Sequence, residues 1–155
     1  SVQFNLDGGI PPVANAEEEK KTMAFVHEAI KRKLLNACHD VSMGGLGIAL
    51  AEMSIKANLG AEVFLSQLLL KPKHMEPDDV LFSESYGRFV ITSKEPQKLM
   101  KFAQERGVKI AMAGRVTTEK RLTIIDSPDS HKRLVDLAIT SMRQEFETAI
   151  ERKMG

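Results

Sequence analysis

One stretch constrains this chain more than any other: His39-Asp40-Val41-Ser42-Met43-Gly44-Gly45-Leu46. A short apolar segment precedes it and a helix-like apolar pattern follows. That order reads as a strand, a tight turn and a helix N-terminus. Such a turn aims backbone N–H groups and the positive end of a helix dipole at one place, which suits an anion. Gly44 and Gly45 permit positive φ and close approach of a ligand. Ser42 can cap the helix or hold a phosphate oxygen. Asp40 can hold a cation, cap the helix or pair with His39. The plainer alternative is an ordinary turn, with Asp40 and Ser42 satisfying the free helix amides and nothing bound. His39 serves equally well as a hydrogen-bonded structural side chain.

A second dense stretch runs from Val80 to Arg88. An apolar lead-in, Val80-Leu81-Phe82, meets Ser83-Glu84-Ser85, then Gly87, then a strand expected from Arg88 to Thr92. Glu84 can bind a metal or a ligand, and Arg88 can fork onto a carboxylate or phosphate. The plainer reading, and the favoured one, is an internal Glu84–Arg88 pair that pins the loop. Both stretches carry polar groups that are costly to bury unless they satisfy each other or a ligand. They are therefore expected to lie side by side at one edge or end of the sheet.

The rest of the chain supplies the frame. Ser1 to Asn15, with Gly8-Gly9 and Pro11-Pro12, reads as a linker or arm, and residues 16–155 as a single domain. The opening at Ser1, without methionine, fits a piece of a longer protein or a processed start. Ala16 to Leu35 reads as a helix with Asn15 as cap, Glu17 to Glu19 in its first turn, and Met23, Val26, Ile30 and Leu34 as its apolar stripe. A strand over Asn36 to Val41 leads into the turn. Leu46 to Ala57 is a second helix, ended by Asn58-Leu59-Gly60. Ala61 to Leu65 is strand-like, and Ser66 to Asp79 a loop with a helical turn. Pro96 to Arg106 is a helix stopped by Gly107. Val108 to Val116 and Leu122 to Asp126 read as strands joined by a hairpin. Ser130 to Lys153 reads as one long helix whose buried stripe includes Leu134, Leu137, Ala138, Met142 and Phe146. The fold class is α+β: a mixed sheet carrying layered helices.

Composition narrows the function. The 155 residues are 43% hydrophobic and 28% charged with net charge +1, so neither nucleic acid nor an anionic membrane is an expected partner. No apolar run is long enough to span a bilayer. Cys38, the single cysteine, fits a reducing, cytoplasmic setting and is expected to be a buried thiol.

Several collinear pieces resemble a known family. They are Gly8-Gly9-Ile10-Pro11-Pro12, Glu19, the run from His39 to Leu46 with Ala49-Leu50-Ala51-Glu52-Met53, then Leu81-Phe82-Ser83-Glu84-Ser85 with Gly87-Arg88-Phe89-Val90, and Gly114-Arg115-Val116. Together they resemble the C-terminal domain of the aminoimidazole ribonucleotide (AIR) synthetase superfamily. More closely, they are similar to the last domain of the large subunit of phosphoribosylformylglycinamidine (FGAM) synthase. The resemblance implies an AIR synthase C-terminal-like, partly ferredoxin-like sheet. It also implies membership of an ATP-dependent C–N ligase of purine biosynthesis that uses ATP and Mg2+ to activate formylglycinamide ribonucleotide for attack by ammonia. The implied partners are the remaining domains of the same subunit, a glutaminase subunit and a small accessory subunit. The candidate substrate- or phosphate-binding residues are His39, Asp40, Ser42, Gly44, Gly45, Glu84, Ser85 and Arg88, with no catalytic residue and no metal ligand assigned. The family usually has an aspartate where this chain has Met43, which weakens a cation role for the turn. A lysine-bearing phosphate loop is absent, so the isolated domain is expected to be inactive and to bind no cofactor tightly. Two other readings remain: a structural domain that supports its parent subunit, and a domain of a selenophosphate- or thiamine-phosphate-kinase relative.

Overall fold

The computed structural model describes residues 15–69, 76–130 and 132–154. The expected arm therefore lies outside the described residues, apart from Asn15. In chain order the elements are α1 (Ala16–Lys31), β1 (Ala37–Asp40), α2 (Gly45–Ala57), β2 (Gly60–Phe64), α3 (Pro77–Phe82), β3 (Phe89–Thr92), α4 (Pro96–Glu105), β4 (Gly114–Thr117), β5 (Arg121–Ile125), β6 (Arg133–Ala138) and α5 (Ile139–Met154), with a 3-10 turn over Leu65–Gln67. The strands form two sheets: a ribbon of β1 and β3, and a four-stranded sheet in the order β4-β2-β5-β6. The larger sheet is mixed, because β2 and β5 run parallel while the other pairs are antiparallel.

Two cores follow from this division. Leu122 and Ile124 on β5, Val63 on β2, Leu46, Ala49 and Leu50 on α2, Leu81 on α3, and Ile139 and Met142 on α5 build the larger one. The smaller packs Phe25, Val26 and Ala29 of α1 on Leu99, Phe102 and Ala103 of α4, with Phe89 and Ile91 of the ribbon against them. Alternation along β3 explains the bridge: Phe89 and Ile91 face one core and Val90 the other.

Several expectations are corrected here. The buried face of α1 is Phe25, Val26 and Ala29, while Met23 and Ile30 are 55% and 53% exposed. The Phe25 ring stacks on Phe102 with centroids 5.3 Å apart, and this large contact sets the helix rotation. The apolar lead-in Val80 to Phe82 is helical and closes α3, with Pro77 in the first turn. The expected strand over Val108 to Val116 shortens to Gly114–Thr117. Its expected hairpin with the next strand does not form, because β2 lies between β4 and β5. The expected final helix begins as a strand: residues Arg133–Ala138 pair antiparallel with β5, and only then does α5 start. Pairing with β5 satisfies backbone groups that helical spacing alone cannot reveal. Asp136 reinforces that pairing, accepting from Arg121 at 2.7 Å and Arg133 at 2.8 Å, and these bonds hold its carboxyl below the ordinary value. Phe146, expected on the buried stripe, is 61% exposed. Cys38 is exposed on β1, not buried. Partial desolvation, then the neighbouring Asp40 charge, raises its thiol pKa.

Helix ends are closed by recognisable chemistry. Asn15 accepts from the Glu18 N–H at 3.3 Å and caps α1. At the end of α2, Asn58 adopts φ 52°, Arg143 donates to the Ile55 carbonyl at 2.7 Å, and the Lys120 ammonium donates to the Asn58 carbonyl. Among the described residues, no helix is long and apolar enough to cross a membrane.

Candidate functional site

The ribbon brings the two dense stretches together. Cys38 pairs with Ile91 and His39 with Val90, and the Val41 N–H donates to the Arg88 carbonyl at 2.8 Å just beyond the last pair. The chain leaving β1 and the chain entering β3 are therefore neighbours by construction of the antiparallel ladder. They are also joined directly: the Gly44 N–H donates to Glu84 Oε1 at 2.8 Å. The expected juxtaposition of the two loops is what the structure contains.

The turn's glycines have separate tasks. Gly44 is the N-cap of α2, at φ 78°, and, as a glycine, has no side chain with which to cap the helix. Neither Asp40 nor Ser42 therefore performs the capping considered from sequence. The role falls to Glu84, whose carboxylate sits at the positive end of α2 as an internal anion. Gly45, at φ 68°, lies against the end of α3. A Cβ there would stand 2.6 Å from the Leu81 carbonyl oxygen and 2.8 Å from the Phe82 Cα. The turn needs glycine at this position for backbone packing, and a ligand need not be invoked.

His39 is held from both ring nitrogens. Nδ1 lies 2.6 Å from the Asp40 carbonyl oxygen and Nε2 lies 2.9 Å from Glu52 Oε2. Its principal partner is thus Glu52, on α2, and the Asp40 carboxylate is further off at 3.7 Å. Glu52 was missing from the expected site. Its signals are a carboxylate that interrupts the apolar run of α2, the helix that the turn opens, and its place in the Ala49 to Met53 piece of the family resemblance. With His39 fixed from below, the Asp40 carboxylate, 62% exposed, and the exposed Ser42 remain directed to the outside.

The expected Glu84–Arg88 pair is absent, because each group has other partners. Arg88 turns back into its own loop, donating to the Ser83 carbonyl at 2.5 Å, to Ser83 Oγ at 3.4 Å and to the Ser85 carbonyl at 3.2 Å. Its guanidinium is half-buried, and desolvation lowers its pKa. Ser85 enters this network through its backbone. Glu19, from the first turn of α1, leans on Gly87, and its Oε1 is enclosed without a hydrogen-bond partner. Exposed apolar side chains rim the loops: Met43 is 85% exposed, Tyr86 62% and Phe82 54%. Among the described residues, no group of three or more His, Cys, Asp or Glu is placed to hold a metal ion.

This geometry makes Glu84→Ala informative. The substitution removes a charge-assisted acceptor and leaves the Gly44 N–H to water, for an expected loss of about 1 kcal/mol of stability. Chemical denaturation of the variant measures it. A stability equal to the parent's would show that water replaces the carboxylate at no cost.

Fold and loops together define an α+β domain in which a glycine turn, clamped by an acidic loop, opens the central helix. Residues 1–127 match the family described as AIR synthase related protein, C-terminal domain, and the chain belongs to that family. It is 36% identical over 147 residues to the phosphoribosylformylglycinamidine synthase subunit PurL of Bartonella quintana, covering 94% of this chain and 18% of that protein. It is 45% identical over 94 residues to PurL of Thermococcus kodakarensis, covering 61% of this chain and 13% of the relative. The structure superposes on T. maritima PurL complexed with ATP with a TM-score of 0.74 at 25% identity, over 86% of this chain and 23% of that one. The chain thus spans under a quarter of the length of these relatives.

Proposed function

We propose that this chain acts as the C-terminal domain of the large subunit of an FGAM synthase, an ATP-dependent ligase that amidates formylglycinamide ribonucleotide. The observation that supports this reading is that 94% of the chain aligns with 18% of a PurL relative, at 36% identity. The domain's share of the chemistry is to present Asp40 and Ser42 towards nucleotide phosphates and their magnesium ion. One exposed carboxylate and one hydroxyl suit Mg2+, which keeps several waters and phosphate oxygens and takes few protein ligands. They do not make a complete site, and the remaining ligands belong to other domains of the parent subunit. When bound, ATP would supply the activation of an amide oxygen, and Asp40 and Ser42 would help to hold the cation that offsets the phosphate charge. The glutaminase and accessory subunits that deliver ammonia, and a cytoplasmic location, complete the proposal.

A supporting, non-catalytic role for the turn itself is favoured by one specific observation. Glu84 already occupies the Gly44 N–H, where a phosphate oxygen would otherwise sit. In this form of the proposal Gly44 and Gly45 shape the loop, and only Asp40 and Ser42 face ligand.

Two measurements test the proposal. The 155-residue chain alone should release no ADP from ATP, substrate and ammonia above a no-protein control; release would overturn the assignment of the missing chemistry to other domains. In the parent polypeptide, Asp40→Asn should weaken Mg-nucleotide binding by about tenfold, the scale of one lost charge-assisted contact. Unchanged binding in calorimetry would remove Asp40 from the site.

A further inference from the structure

Two carboxylates hold the turn that carries Asp40. Glu84 reaches it at the Gly44 N–H, and Glu52 reaches it at His39, the residue before Asp40. The second contact bears on Asp40 itself. The Asp40 carbonyl and the Val41 N–H belong to one trans peptide and so point in opposite directions. The Val41 N–H donates to the Arg88 carbonyl at 2.8 Å, across the ribbon. The Asp40 carbonyl therefore points away from β3, to the edge of β1 where the two-stranded ribbon ends. His39 Nδ1 lies 2.6 Å from that oxygen. A carbonyl oxygen can only accept, so the contact assigns a proton to Nδ1. On the far side of the ring, Nε2 lies 2.9 Å from Glu52 Oε2. A peptide held at its N–H alone can pivot about that bond. Held at the carbonyl as well, by a ring that Glu52 keeps in plane, it has one orientation. That orientation sets ψ of Asp40 and the direction in which its side chain leaves the backbone.

Stability does not explain the arrangement. The His39 and Glu52 side chains are 27% and 37% exposed, so water competes for both and the pair contributes little to folding. Nor is Asp40 directed from across the ribbon. Arg88, next to Phe89, the cross-strand partner of Asp40, is engaged with the carbonyls of Ser83 and Ser85. What the His39 contact does is hold the backbone of Asp40 and leave its carboxylate, 62% exposed and 3.7 Å from Nδ1, available. A partner bonded to the carboxylate itself would compete with a metal ion for its oxygens.

We infer that Glu52 is a positioning residue for Asp40, acting through His39. The inference rests on the reading of Asp40 as a magnesium ligand. A domain that supplies one carboxylate to a cation shared with other domains must aim that group in advance. Outer partners orient metal ligands in this way, and their loss is felt in metal affinity.

The test reads orientation and binding separately. In the 155-residue chain, backbone dipolar couplings of Asp40 and Val41 in a weakly aligned sample should shrink in Glu52→Ala. They should keep their values in Glu52→Gln, whose amide can still bond Nε2. The melting temperature of either variant should move by no more than about 3 °C. In the parent polypeptide, Glu52→Ala should weaken Mg-ADP binding by about tenfold in calorimetry, with Glu52→Gln close to the unsubstituted protein. ADP in excess EDTA should bind all three alike. Added to Asp40→Asn, Glu52→Ala should cost less than about a further twofold, because a residue acting through Asp40 then has nothing left to aim. Unchanged couplings in Glu52→Ala, a Glu52→Gln variant as impaired as Glu52→Ala, or a full further loss in the Asp40→Asn background would each overturn the inference. If the couplings shrink while Asp40→Asn binds Mg-ADP normally, Glu52 still positions Asp40, and the reading of Asp40 as a magnesium ligand is what fails.

Discussion

Gly45→Ala is expected to cost about 3 kcal/mol of stability, among the larger effects available to a single methyl group in this chain. Two penalties coincide. The residue sits at φ 68°, where an L side chain is strained by about 1–2 kcal/mol. The added Cβ also meets backbone, the Leu81 carbonyl and the Phe82 Cα, which cannot rotate away. Relief requires α3 to move off α2, which would carry Leu81 out of the larger core. Gly44→Ala is the control. Its φ of 78° is equally unfavourable, but its Cβ would meet only Ile48, at 2.5 Å from Cγ1 and 2.9 Å from Cβ; that side chain is 41% exposed, so Cγ1 can rotate away, and the Cβ contact needs a shift within the turn but no parting of two helices. That variant should lose about 1–2 kcal/mol only. Urea denaturation of the pair measures both, and equal losses would show that the α2–α3 contact is not what Gly45 serves.

The second large effect is expected at the centre of the four-stranded sheet. Ile124 is 1% exposed on β5, which is paired on both sides, by β2 and by β6. Ile124→Ala should cost about 3–4 kcal/mol, from lost apolar burial and a cavity that a doubly paired strand cannot collapse around. Leu137→Ala on β6 provides the comparison: Leu137 is 47% exposed, and its truncation should change stability by less than about 1 kcal/mol. Similar losses at the two positions would contradict the placement of the core.

Much of the frame was legible in the sequence because local chemistry and tertiary structure agree there. Asn15 with its acidic first turn, Asn58 after α2, Pro96 at the start of α4 and Gly107 after it all mark ends that the structure keeps. The paired loops were legible for a related reason, since polar runs beside strands must satisfy one another. The failures share a cause as well. Leu134, Leu137 and Ala138 fit a helical period, and nothing local discloses that β5 offers an edge to pair with. Thr117 to Arg121 has the look of a hairpin turn, and only the insertion of β2 between β4 and β5 prevents it. Met23 and Ile30 are as apolar as any core residue, yet the stacking of Phe25 on Phe102 turns them outward. At the site, sequence suggested the acidic loop but paired Glu84 with the nearest cation. The true partner, a main-chain N–H forty residues away, has no side-chain signature.

That last contact has a consequence for how the site comes into being. The His39–Glu52 contact spans thirteen residues and can form as soon as β1 and α2 dock. The Gly44–Glu84 bond closes a loop of forty residues that contains α2, β2 and α3. Ordering so long a loop is unrewarded until those elements are packed, so the clamp belongs to the last stage of folding. A nascent or damaged chain can hold its histidine correctly and still lack the clamped turn. The outward-facing Asp40 and Ser42 are then displayed in fixed geometry only by a molecule whose larger core is already complete.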